Sequence, residues 1–200
     1  MNATQSLDVS RLPDYAFGNR SLMWWGTMGM MAAEGTIFAG LLAMYFYTWD
    51  RTDLWPPAGS PPGLLFATLN TVILLASCWP NHLYKKAAEH ENLAATRLWL
   101  VVSLVFALAF VVVRGFEFTT LYCRWSDSAY ASVLWVLLGF HTTHLITDVL
   151  DTLVLTVLMF TGPLKPKRFA DVSENGMYWY FVVLAWLPIY ITLYLLPRWS

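Results

Sequence analysis

Charge is what this chain has least of. Only 12% of its 200 residues are Asp, Glu, Lys or Arg, where a soluble domain carries about 25%. That deficit excludes an ordinary water-facing surface and points to a polytopic membrane protein. A formal net charge of −1 provides no basic face, which argues against a nucleic-acid partner. The two cysteines, Cys78 and Cys123, have no CxxC spacing, so neither a dithiol redox motif nor a zinc site is indicated. Four histidines are too few for a membrane di-iron oxygenase centre. The first twenty residues lack the basic-then-apolar layout of a signal peptide, so the first long apolar segment is expected to start membrane insertion. No internal repeat is visible.

What is abundant is apolar sequence, at 58% hydrophobic and 16% aromatic residues. Five segments, at about 21–48, 63–84, 96–118, 128–160 and 177–196, are each long enough to cross a bilayer, which takes about 20 residues. The expected fold is an all-α membrane protein, a bundle of five transmembrane helices forming a single transmembrane domain over residues 1–200. Pro13 and Gly18 break the N-terminal tail. Residues 49–62, WDRTDLWPPAGSPP, read as a proline-stiffened loop. Residues 85–95 read as a short charged connection, and 161–176, TGPLKPKRFADVSENG, as a basic loop. Five spans put the termini on opposite sides. Eight Lys and Arg fall on the N-terminal side (Arg11, Arg20, Lys85, Lys86, Arg97, Lys165, Lys167 and Arg168) against four on the other, Arg51, Arg114, Arg124 and Arg198. The positive-inside rule then places the N-terminus in the cytoplasm and the C-terminus outside. Trp49, Trp55 and Trp199 suit interface positions, and Lys165, Lys167 and Arg168 suit contact with anionic lipid.

The first segment, SLMWWGTMGMMAAEGTIFAGLLAMYFYT, contains one ionisable side chain, Glu34, near its centre. A carboxylate at that depth costs about 2.5 kcal/mol or more, so it must be protonated, paired or turned inward. Gly26, Gly29, Ala33 and Gly40 recur at helical spacing and form a small-residue face where another helix can come close. The other helices are therefore expected to pack around this one.

The fourth segment is unusually polar. His141, His144, Asp148 and Asp151 lie 3, 4 and 3 residues apart, on one helical face that should turn to protein or water rather than lipid. Asp148 and Glu34 sit at similar distances from the same end of their helices, so Glu34 is expected to meet His144 or Asp148. Such a cluster reads as a proton relay, a lipid-headgroup site, a three-ligand metal site with Glu34, or simply interhelical hydrogen bonding. Axial ligation of one haem by both histidines is excluded, because residues three apart on one helix cannot reach opposite faces of the macrocycle. Arg114 and Glu117 are spaced for an interfacial ion pair. Asn70 and Thr71 suit interhelical hydrogen bonds, and His82 and His90 ordinary interfacial positions.

Five stretches, in order, resemble subunit III of the haem–copper (cytochrome c) oxidase family, in its short five-helix bacterial form. They are WWGTMGMMAAEGTIFAG, LNTVILLAS, RGFEF, GFHTTH and NGMYWYFVVLAWLPIY, and together they touch every span. Glu34 falls on the family's characteristic carboxylate, and His141 and His144 on its paired histidines. The pattern departs at Thr142, where the family has glycine, and at Phe118, Arg114 and Val182–Leu184. The resemblance implies a non-catalytic accessory subunit of a respiratory chain, without active site or metal of its own. Haem and copper would reside in a partner catalytic subunit I. The chain would pack on that subunit, hold phospholipid, and support proton uptake and complex stability from a multi-pass position in a bacterial inner (plasma) membrane. A subunit-III-like protein of nitric oxide reductases, a small secondary transporter and a membrane metalloenzyme are the competing readings. No paired repeat halves favour the transporter.

Overall fold

The computed structural model describes residues 16–53, 55–56, 61–163 and 165–199. Arg11 and Pro13 of the N-terminal tail lie outside them. Five helices are long and apolar enough to cross a membrane: α1 (Leu22–Asp50), α2 (Leu64–Glu89), α3 (Leu93–Thr119), α4 (Ala129–Thr161) and α5 (Lys167–Tyr190). Among the described residues there is no strand. Three N-termini are capped by the residue just before them. Ser21 Oγ accepts from the Met23 amide at 3.1 Å, Asn92 Oδ1 from Ala95 at 3.2 Å and Ser128 Oγ from Ala131 at 3.1 Å. Each bond satisfies an amide that the first helical turn leaves open.

The fifth helix begins ten residues before the expected position. Residues 167–176, read from their charges as loop, form its first turns. Pro166 precedes Lys167 with helical backbone angles, and proline suits a helix start because its missing N–H has no intrahelical role there. Phe169, Ala170, Val172 and Ser173 are buried. Their helical spacing, hidden among Lys, Arg, Asp and Glu, gives this turn a packing face. At its other end α5 passes Pro188 and continues through a π-helical stretch, Ile191–Leu195, and a 3-10 turn, Leu196–Arg198. Proline removes a backbone donor, which loosens the ladder beyond it. Helix α2 likewise runs past the expected end, to Glu89.

Helices α4 and α5 form the centre. Helix α5 packs along α2, α2 along α3, and α3 against α4. Leu134, Leu137, Leu138 and Leu145 of α4, with Trp179, Val182 and Trp186 of α5, fill the core. Lipid is as apolar as leucine, so helices in a bilayer associate through close packing and hydrogen bonds. The α2–α5 seam has several: Trp179 Nε1 donates to Ser77 Oγ at 2.9 Å, Trp186 Nε1 to Thr71 Oγ1 at 2.8 Å, and Asn81 Nδ2 to the Gly176 carbonyl at 2.9 Å.

Helix α1 is not the hub that its small-residue face implied. It is the least buried of the five spans and packs chiefly on α4 and α5. Gly26, Gly29, Ala33 and Gly40 are all exposed, and a Cβ built on any of the three glycines meets nothing within 4 Å. The closest approach is at Gly35, 3.7 Å from the Phe181 ring of α5. The small-residue stripe faces away from the other helices of this chain. Phe38 and Tyr45 are the large side chains that α1 buries.

Candidate functional site

Glu34 projects from the inner side of α1 into the seam with α4 and α5. Its Oε1 lies 3.4 Å from His144 Nε2, and its Oε2 accepts from the Tyr178 hydroxyl at 2.8 Å. His144 Nδ1 is 2.8 Å from the Phe140 carbonyl. A carbonyl can only accept, so Nδ1 carries a proton and Nε2 faces Glu34. With the ring protonated, the contact is an ion pair between α1 and α4.

His141 does not join this pair. Its Nε2 lies 3.0 Å from the Val182 carbonyl and therefore carries that ring's proton. The ring packs near Trp186, with centroids 5.0 Å apart, and Phe38 lies against both histidines. His141, His144 and Glu34 consequently do not form a ligand set. Among the described residues no three His, Cys, Asp or Glu side chains are grouped to hold a metal ion.

The other half of the stripe is organised by a residue that the sequence reading placed in a loop. Asn175 of α5 is buried and uses both ends of its amide. Nδ2 donates to Asp148 Oδ1 at 3.1 Å and to Asp151 Oδ2 at 3.2 Å. Oδ1 accepts from the Tyr84 hydroxyl and from Thr152 Oγ1, each at 3.1 Å. One side chain thus ties α2, α4 and α5 together around two carboxyl groups. Only a helical reading of 167–176 would have brought Asn175 onto the same face as Tyr178.

Glu34, Tyr178, Asp148, Asp151 and Asn175 line one cleft of about 580 Å³ between α1 and the α4–α5 pair. Its polar wall holds Glu34, Asp148, Asp151, Asp171 and Glu174, with Lys167 among them. Its apolar wall includes Met23, Met30, Val154 and Leu158. Glu34 and Asp148 sit at similar depths in their helices, while Asp171 and Glu174 lie near the start of α5.

A second polar centre lies towards the other end of the bundle. Arg114 and Glu117 make the expected ion pair at 3.0 Å, but it is 1% and 2% exposed rather than interfacial. Asn70 Nδ2 donates to Glu117 at 2.6 Å, and the Tyr194 hydroxyl also donates to it. The Arg114 guanidinium lies 4.1 Å from the Trp186 ring centroid and 4.9 Å from that of Phe110. A desolvated cation gains from aromatic faces of this kind. The centre links α2, α3 and α5.

The cleft, the two centres and the five spans occur in a chain whose residues 14–199 match the cytochrome c oxidase subunit III family. The chain belongs to that family. It is 29% identical over 185 residues to cytochrome c oxidase subunit 3 of Synechocystis sp., covering 90% of this chain and 78% of that one. It is 26% identical over 188 residues to that of Thermostichus vulcanus, covering 92% of each. A probable cytochrome c oxidase subunit 3 of Nocardia farcinica is 30% identical over 173 residues, covering 84% and 85%. This subunit III is an accessory, non-catalytic component of a haem–copper oxidase and a multi-pass inner-membrane protein.

Proposed function

We propose that this subunit III packs on the catalytic subunit I with its N-terminus in the cytoplasm and its C-terminus outside. In that position it holds phospholipid in the cleft and supports proton uptake by its partner. Haem and copper belong to the partner. The observation that carries this reading is the row of carboxyl groups along the cleft, from Asp171 and Glu174 to Glu34. Closely spaced carboxyl groups raise the local concentration of cations, protons included. At the inner end Glu34 lies 3.4 Å from His144 and accepts from the Tyr178 hydroxyl, so polar partners line that end of the row. The apolar wall of the same cleft suits acyl chains, and ordered lipid there would keep the neighbouring helices in place.

The test is the pH profile of oxygen consumption by the purified oxidase carrying Glu34→Gln or Asp151→Asn. Proton supply limits turnover most when protons are scarce. Both variants should therefore match the parent at pH 6 and fall several-fold below it as the pH rises past 8, with subunit content and haem spectra unchanged. Loss of the whole complex in Glu34→Gln would make Glu34 a structural residue. An unaltered pH profile in both variants would remove the proton role.

A further inference from the structure

Asp148 and Asp151 both line the cleft, but they meet it unequally. Asp151 is exposed along it, whereas Asp148, one turn earlier on α4, is 3% exposed. Among the described residues neither makes an ion pair, and Asp148 Oδ2 has no hydrogen-bond partner. What holds the Asp148 carboxyl is the bond from Asn175 to its other oxygen. The same nitrogen holds Asp151.

An amide suits this place for a reason of charge. It offers two N–H donors and carries no charge, so it aims two carboxyl groups without forming an ion pair with either. It is also not free to turn. Its Oδ1 accepts from the Tyr84 hydroxyl of α2 and from Thr152 Oγ1 of α4, and Tyr84 is itself buried. Hydroxyls can donate to Oδ1 and carboxylate oxygens can only accept, which fixes which end of the amide faces which partner. Four bonds on one planar group thus set the direction of both carboxyls.

We propose that Asn175 is a positioning residue for proton supply, acting through Asp148 and Asp151 by holding the exposed carboxyl and the buried one in line, with Tyr84 anchoring the amide from α2. This rests on the proton role proposed for the cleft and names the residue that sets the geometry of its carboxyl row. Other titratable groups face the pair from three elements: Glu34 of α1, Tyr84 of α2, and Lys167, Asp171, Glu174 and Tyr178 of α5. Asn175→Leu keeps every one of them, and both aspartates, while removing the amide's donors and acceptor.

A residue that acts only through two others has no effect once those two are gone, which makes the effects non-additive. The test is the pH profile of oxygen consumption by the purified oxidase in four forms: Asn175→Leu, Tyr84→Phe, the pair Asp148→Asn/Asp151→Asn, and that pair with Asn175→Leu added. Subunit content and haem spectra are checked in each. Asn175→Leu should match the parent at pH 6 and fall several-fold below it above pH 8, with Tyr84→Phe falling the same way by a smaller factor. The triple variant should coincide with the aspartate pair. Should Asn175→Leu release the subunit, Tyr84→Phe alone and in the aspartate-pair background makes the same comparison. A depressed profile in the aspartate pair beside parental profiles in Asn175→Leu and Tyr84→Phe would overturn the positioning role and leave the proton role standing. A further fall in the triple variant below the pair would overturn it too, since Asn175 would then act by another route. A parental profile in the aspartate pair would remove the proton role of these carboxyls, and the inference with it.

Discussion

Asn175 concentrates more of the cleft's order than any residue that the sequence marked as functional. Its amide satisfies two carboxyl groups and accepts from two hydroxyls across three helices. Removing it strands several buried polar groups, each costing about 1–3 kcal/mol when left without a partner. Asn175→Ala should thus destabilise the bundle by about 2–4 kcal/mol, seen as release of the subunit from the solubilised oxidase at lower temperature. The Arg114–Glu117 pair allows a sharper test. Glu117→Leu leaves an arginine buried among Phe110 and Trp186 and should cost about 3–5 kcal/mol. The double variant Arg114→Leu/Glu117→Leu should recover most of that loss, because a buried pair and a matched apolar pair differ little in net stability. A double-mutant cycle on thermal release measures the coupling. Glu34 was legible in the sequence because it is the lone charge in an apolar run. The Arg114–Glu117 spacing was legible too, but its burial was not. Depth there comes from Tyr194 and Asn70, which approach from other helices.

At the scale of elements, the five spans could be read from hydropathy, and their ends could not where charge and packing disagree. Helix α5 is the instructive case. Its first ten residues carry four charges, Lys167, Arg168, Asp171 and Glu174, and two buried faces at once, since α2 lies on one side and α4 on the other. Gly176 sits where α2 comes nearest. A Cβ there would be 3.1 Å from the Tyr84 ring and 3.2 Å from Lys85 Cβ. Gly176→Leu should force α2 and α5 apart and cost about 1–3 kcal/mol, again read as earlier thermal release. The glycines of α1 make the opposite prediction. Gly29 meets nothing within 4 Å, so Gly29→Leu should leave the bundle's own stability within about 0.5 kcal/mol of the parent. A small-residue repeat says that a helix has a smooth side; which neighbour takes that side is fixed by the rest of the bundle. Here α4 and α5 take the side carrying Phe38 and Tyr45 instead.

For the molecule as a whole, orientation is the property on which the cleft's role depends. Carboxyl groups near the start of α5 gather protons for uptake only if that end faces the cytoplasm. The loop between α3 and α4 must then face outside, and it holds a native reporter, Cys123, which is partly exposed. Burial, with a contribution from the nearby Asp127 carboxylate, pushes the Cys123 thiol above its ordinary range. The reactive species is the thiolate, so its labelling should be slow at neutral pH and accelerate as the pH rises. Cys78, within α2, lies inside the bilayer and should remain unlabelled by a membrane-impermeant maleimide throughout. Added to right-side-out cells, such a reagent should label Cys123 with a rate that climbs between pH 7 and 9. Sealed inverted vesicles should show no labelling of it until they are opened with detergent. Labelling in the inverted vesicles alone would reverse the topology, placing Asp171 and Glu174 outside and separating the carboxylate row from the side on which protons are taken up.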